Sequence, residues 1–197
     1  MSHSTDSENL TWQLLDVDHV VNDQWIDFRR LSYRMPDGSI FEPYYNYSRR
    51  DYVVIVATDE EGRYLTVRQF RQGIRIVTNE FVAGGIEGTD RPDFTKPASP
   101  NATPEQALAA AKRELLEESG YESGEWEHII TVPSNATIAD NYAYIYRAKK
   151  CRKVTGQSLD ETEFLNMHLR TKDELETLIK EGQFQQAMHV MAYYMCR

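Results

Sequence analysis

The stretch from Thr103 to Gly120 constrains this chain more than any other. Thr103-Pro104-Glu105-Gln106 has the residues of a helix start: a hydroxyl N-cap, a proline in the first turn, and a glutamine three places on that closes a capping box. An Ala- and Leu-rich run follows, and Gly120 supplies a left-handed stop. On the predicted helix Glu114, Glu117 and Glu118 stand at i, i+3 and i+4, so they share one face about 100° wide. Like charges at that spacing repel by roughly 0.2–0.5 kcal/mol per pair. Two readings follow. The glutamates form a solvated acidic face paired with Lys112 or Arg113, or they are neutralised by a hard divalent cation such as Mg²⁺, which favours carboxylate oxygens and water. Glu105 falls nearly opposite Glu114 on the same helix and is not expected to be a ligand.

Around this helix the chain reads mostly as strands. Residues 1–10 are polar and expected to fray. Between Trp12 and Arg50, scattered aromatics flank a turn at Met35-Pro36-Asp37-Gly38-Ser39, which predicts a short strand pair. The β-branched run 52–57, a turn at 59–62 and the run 64–70 predict a hairpin. Residues 80–83 predict a short strand ending in Gly84-Gly85. Residues 88–102 are rich in Pro, Ser, Asp and Gly without a period, which marks a loop. Strands are expected at 129–132, 141–148 and 163–169. A second capping box, Thr171 with Glu174, opens a helix to about residue 181, and 184–196 form a last helix. The irregular interleaving of strands and helices gives an α+β fold with a mixed sheet.

Composition excludes several classes. With 197 residues the chain is the size of one domain with a short extension, here 1–44 ahead of 45–197. Charged residues make up 27% and no apolar run approaches a membrane span, so a membrane partner is not expected. The start has neither a basic nor an apolar signal region, and Cys151 and Cys196 are too few for a disulfide framework; both point to a cytoplasmic protein with ordinary thiols. A net charge of −9 disfavours nucleic acid as a partner. An acidic protein still handles phosphates where a metal ion or local arginines supply positive charge.

Arg113-Glu114-Leu115-Leu116-Glu117-Glu118-Ser119-Gly120-Tyr121 resembles the second half of the Nudix box, the signature of Nudix hydrolases, at every position, and Glu105 stands eight residues before Arg113 as that signature asks. Its first half departs. Gly84 precedes Glu105 by 21 residues where the signature has six, an insertion of 15 that is expected to overhang the site in part. The resemblance implies a Nudix-type mixed β-sheet sandwiched between α-helices (α/β/α). It also implies hydrolysis of a nucleoside diphosphate linked to another group, with Mg²⁺ or Mn²⁺ as cofactor. Residue by residue, it implies Glu114, Glu117 and Glu118 as metal ligands with the Ala83 carbonyl, and Arg113 as the residue that orients them.

Flanking segments resemble the ADP-ribose pyrophosphatase branch of that family. Arg68-Gln69-Phe70-Arg71 and Glu80-Phe81-Val82-Ala83-Gly84 are similar to its substrate strand and lead-in, so Arg68, Arg71 and Glu80 are implied in diphosphate binding. Asp160-Glu161-Thr162-Glu163 resembles its acidic base loop, with Glu161 the first candidate for the base and Glu163 the second. The bland alternatives are surface arginines, a structural Glu80–Arg pair and a solvated loop. Pro133-Ser134-Asn135 differs from the loop this branch carries there, which leaves other nucleotide sugars open as substrates. Tyr142, Tyr144 and Tyr146 read as core packing, and His189 as a surface or core residue. Trp12 and Trp25 suit packing against a second subunit in a homodimer. The rival function is a catalytically quiet Nudix domain that binds a nucleotide as a sensor or partner module.

Overall fold

The structure is a computed structural model that describes residues 10–89, 94, 96–161 and 163–197. The frayed start expected at 1–10 lies outside it but for Leu10. The N-terminal region holds three strands rather than the expected short pair: β1 (Gln13–Asn22), β2 (Asp27–Arg34) and β3 (Ile40–Ser48), an antiparallel sheet in the order β1-β2-β3. The turn at 35–39 sits where expected, closed by Met35 N–H to the Ser39 carbonyl at 2.8 Å. The strands are hard to read from sequence because β1 and β3 stay largely exposed, and the buried face of β2 carries Asp27 and Arg29 beside Leu31, so no clean alternation of apolar and polar residues results.

The main sheet contains β4 (Tyr52–Asp59), β5 (Tyr64–Arg71), β6 (Ile76–Glu80), β7 (Val82–Gly85), β8 (Tyr121–Glu122), β9 (Glu125–Pro133), β10 (Tyr142–Lys153) and β11 (Leu165–Arg170). Its spine runs β11-β5-β4-β10-β8, with β6 on β5, β7 on β4 and β9 on β10. The β4–β10 pair is parallel and the others are antiparallel, so the sheet is mixed as expected. The expected single strand at 80–83 is instead two, broken at Phe81. Phe81 N–H donates to His189 Nδ1 at 3.1 Å and so leaves the ladder.

Helix α1 (Pro104–Ser119) covers one face; α2 (Lys172–Lys180) and α3 (Ala187–Cys196) cover the other. Alternation along β4 assigns the faces. Val53, Ile55 and Ala57 pack with Ala107, Ala111 and Leu115 of α1, while Val54 and Val56 pack with Leu175, Phe184 and Tyr193. This is the expected helix–sheet–helix sandwich. Both capping boxes form, and Gly120 ends α1 at φ +75° with its N–H on the Leu116 carbonyl. Among the described residues no helix is long and apolar enough to cross a membrane.

The tyrosine stripe of β10 is core and anchor together. Tyr144 and Tyr146 pack under α1, Tyr142 O–H donates to the Ala98 carbonyl at 3.1 Å, and Tyr144 O–H donates to the Ala102 carbonyl at 2.9 Å. The buried Asp51 carboxylate accepts from the Asn101 and Tyr142 amides at 2.8 Å each. These bonds tie the end of the 88–102 loop to β10. The two sheets are joined by Arg29, fully buried between Asp140 (2.8 Å) and Asp27 (3.3 Å), with Asn46 on its Nε at 3.0 Å.

Candidate active site

The acidic face of α1 lies over β7, and a glycine makes that approach possible. The Glu114 carboxylate rests against Gly84, where a Cβ would stand 1.9 Å from the Glu114 Cδ. Arg113 sits at the junction: it donates to Glu114 Oε1 at 2.7 Å, to Glu117 Oε2 at 2.6 Å and to the Gly85 carbonyl at 3.2 Å. Glu118 points into the sheet and is only 3% exposed, with the Ala83 N–H donating to its Oε2 at 3.3 Å. Burial, reinforced by the neighbouring Glu114 charge, holds the Glu118 carboxyl well above the usual carboxylate range. Burial pushes Glu114 up to about 6, even against the pull of Arg113.

The donor set of this cluster suits a divalent cation. Two neighbouring carboxylates are buried with their charged forms disfavoured, and they offer the hard oxygens that suit Mg²⁺. Among the described residues no three His, Cys, Asp or Glu side chains are gathered closely enough to hold an ion as they stand. Arg113 holds Glu114 and Glu117 in ion pairs beside the buried Glu118. The hard carboxylate oxygens of these three glutamates are of the kind that fits a divalent cation.

The segment after β10 is tied to the last turn of α1. Val154 N–H donates to the Gly120 carbonyl, Ser158 N–H to the Glu117 carbonyl and the Gln157 amide to the Glu118 carbonyl. This brings the 160–163 turn to the site. There the Glu163 carboxylate accepts from the Asp160 N–H at 3.1 Å, and its charge acts on both Glu114 and Glu118. Glu161 is exposed and does not line the cleft.

A cleft of about 700 Å³ opens beside β7. Ala83, Gly84 and Gly85, the strand against which Glu114 and Glu118 rest, line it together with Glu163, and so do Arg49, Arg50 and Arg71. The 88–102 insertion contributes no described residue to the lining. Arg71 is oriented by Glu80, which is 0% exposed and accepts from its Nε at 2.8 Å and from its Nη2. Glu80 and Arg71 thus form a partly buried ion pair at the edge of the cleft. Arg68 is exposed on β5, outside the cleft lining.

Trp25, His189 and the Arg49–Arg50 pair also line the cleft. The sequence reading assigned none of them to a substrate site. Arg49-Arg50, immediately ahead of a β-branched strand, is the one signal that local inspection offered. Trp25 and His189 lie 164 positions apart in the chain, and only the fold brings them together.

The class of protein follows from this sandwich and its glutamate helix, and the sequence matches the family model of the NUDIX domain over residues 48–190. The chain belongs to the Nudix family and is a Nudix hydrolase. It is 30% identical over 141 residues to a methanol dehydrogenase activator from Bacillus methanolicus, covering 71% of this chain and 68% of that protein. It is 27% identical over 126 residues to an ADP-ribose pyrophosphatase from Bacillus subtilis (strain 168), covering 63% of this chain and 60% of that protein. The solved structure of an ADP compounds hydrolase shares the fold, with a TM-score of 0.74 at 18% identity over 97% of this chain and 95% of that one.

Proposed function

We propose that the protein hydrolyses the pyrophosphate bond of ADP-ribose or a related nucleotide sugar, in a Mg²⁺-dependent reaction that yields a nucleoside monophosphate and a sugar phosphate. The observation that carries this reading is the buried Glu114–Glu118 pair laid against the Ala83–Gly85 wall of an arginine-lined cleft. The 27% identity to an ADP-ribose pyrophosphatase supports the choice of substrate.

In this mechanism Glu114, Glu117, Glu118 and the Ala83 carbonyl hold Mg²⁺. When bound, the ion neutralises charge on the diphosphate oxygens and acidifies the attacking water. Arg113 keeps Glu114 and Glu117 aligned through charge-assisted bonds. Arg71, fixed by Glu80, donates to a phosphate oxygen, and Arg49 and Arg50 add positive charge to the same cleft. Glu163 takes the proton of the attacking water; its place in the cleft favours it over Glu161. Residues 1–44 act as an N-terminal extension, whose strands β1 and β2 flank Trp25 in the cleft lining. We place the enzyme in the cytoplasm, and the exposed aromatics Trp12 and Phe41 make a homodimer through this sheet part of the same proposal.

A panel of nucleotide sugars assayed with and without Mg²⁺, alongside Glu118→Gln, tests the reading. Release of AMP from ADP-ribose that needs Mg²⁺ and falls by orders of magnitude in the folded variant is expected. Unchanged turnover in that variant would remove the metal-site assignment.

A second reading rests on two observations: Arg113 occupies two of the three glutamates, and one relative is named a methanol dehydrogenase activator. In it the domain binds a nucleotide and acts on a partner protein. Tight nucleotide binding with no release of products from any panel member would favour it.

A further inference from the structure

His189 has a protonation state that the fold dictates. Its Nδ1 accepts the Phe81 N–H at 3.1 Å. A backbone amide only donates, so Nδ1 carries no proton and the neutral ring must carry it on Nε2. The ring is wedged between aromatic neighbours, parallel to Phe81 (4° between planes) and edge-on to Phe184, and the residue is 3% exposed. Burial, helped by the nearby charge of Arg71, pushes its pKa down to about 3, so the ring stays neutral at physiological pH. Among the described residues the ring's hydrogen bond is the one at Nδ1, Nε2 is not one of the fully enclosed unpaired atoms, and His189 lines the cleft.

The setting of the ring suits an anion. Gln186, Ala187 and Met188, at the start of α3, line the same cleft. Gln186 gives no side-chain cap and the first turn has no acidic residue; the His189 N–H already donates to the Gln186 carbonyl at 3.0 Å, so the Ala187 and Met188 N–H groups and the positive end of the helix dipole are left for another acceptor. The start of α3 is also held in place: the Asn79 N–H and side-chain amide both donate to the Gln183 carbonyl, at 3.0 and 3.1 Å. Arg71 supplies positive charge from the neighbouring strand.

We propose that His189 is a substrate-binding residue, whose Nε2–H and the open first turn of α3 together donate to a phosphate oxygen of the diphosphate compound in the cleft. The chemical advantage is a donor that stays neutral around physiological pH. It selects an acceptor oxygen by geometry and keeps its strength across the pH range in which an ordinary histidine titrates. The identity of the ligand rests on the proposed function; the donor itself does not.

Two isosteric variants separate the two ends of the ring. In His189→Asn the Oδ1 replaces Nδ1 as the acceptor for Phe81, while the cleft donor is lost. In His189→Gln the amide reaches toward the Nε2 position, while the Phe81 acceptor is lost. With ADP as probe and chelator present, so that nothing turns over, calorimetry on the full chain should show Kd raised about tenfold or more in His189→Asn. Its thermal midpoint should stay near wild type. His189→Gln should bind ADP within about threefold of wild type but melt earlier. In wild-type protein, nitrogen-detected histidine NMR at pH 6 should show the neutral Nε2–H form, with Nε2 shifting on addition of ADP. Equal ADP affinity in a folded His189→Asn would overturn the proposal. So would a charged or Nδ1–H ring at pH 6, or an Nε2 signal indifferent to ADP, and these NMR readouts decide the matter even if the variants fold poorly. A wild-type protein that binds ADP through His189 yet hydrolyses no nucleotide sugar would refute the proposed function and leave this assignment intact.

Discussion

Replacing Gly84 by alanine probes the site with one methyl group. Gly84 sits in a strand with no left-handed backbone, so the chain accepts alanine conformationally. The new Cβ would stand 1.9, 2.1 and 2.3 Å from the Glu114 Cδ, Oε1 and Oε2. Ordinary contact begins at 3.4 Å, so the carboxylate must retreat by about 1.5 Å, and its 2.7 Å bond to Arg113 goes with it. A displacement of about 1 Å in a reacting constellation costs on the order of a hundredfold in rate. We expect kcat/KM for ADP-ribose to fall by about that factor or more, with a higher Mg²⁺ concentration for half-maximal rate. The clash is with the far end of a side chain, so the fold should lose no more than the roughly 1–3 kcal/mol typical of overpacking, read from urea denaturation. Gly85→Ala is the control. Its Cβ first meets the Arg50 side chain at an ordinary 3.5 Å, so activity should stay near wild type. Full activity in Gly84→Ala, or an equal loss in Gly85→Ala, would show that the Glu114–Gly84 contact does not set the site.

Three further expectations follow from the same coordinates. Glu163→Gln should lower kcat by about 10²–10⁴-fold while Glu161→Gln stays near wild type, and the opposite ranking in a steady-state assay would reassign the base. Glu114 and Glu118 are raised above their unfolded values, so the folded state binds more protons than the unfolded chain across that interval. The stability these two contribute is present below pH about 4.5 and is lost as pH rises through about 6 for Glu114 and through the raised range of Glu118. Metal-free protein should therefore gain stability relative to Glu118→Gln on acidification from pH 8 to 5; a parallel pair of stability–pH curves would contradict the burial argument. Finally, Arg29→Met strands Asp27 and Asp140 without their buried counter-charge and should cost about 3–5 kcal/mol in urea unfolding. A loss under about 1 kcal/mol would mean that the two sheets are held together by other contacts.

Much of the main sheet was legible because its signals are local. The apolar face of β4 alternates between two helix layers, and both capping boxes act within four residues, so their side chains satisfy the orphan amides wherever the helix lies. The N-terminal sheet is harder to read because β1 and β3 are largely exposed and the buried face of β2 is mostly charged. β6 was missed because the break at Phe81 is made by a histidine 108 residues away. Arg113 shows the limit of motif reading in another way. Resemblance implies that it orients the glutamates; that it bonds Glu114, Glu117 and the Gly85 carbonyl at once appears only in the structure.

What the sequence alone determined is the helix that carries three glutamates, its start and stop, and the arginine that accompanies them. These depend on backbone periodicity and neighbours within one or two turns. Which carboxylate would be buried, which arginine would face the cleft, and that Trp25, Glu163 and His189 would line one cavity were decided only by the tertiary structure. The physical reason is that burial and electrostatic environment are set by chain segments far apart in sequence. A side chain's type is written locally, but its solvent, its partners and its protonation state belong to the packed whole.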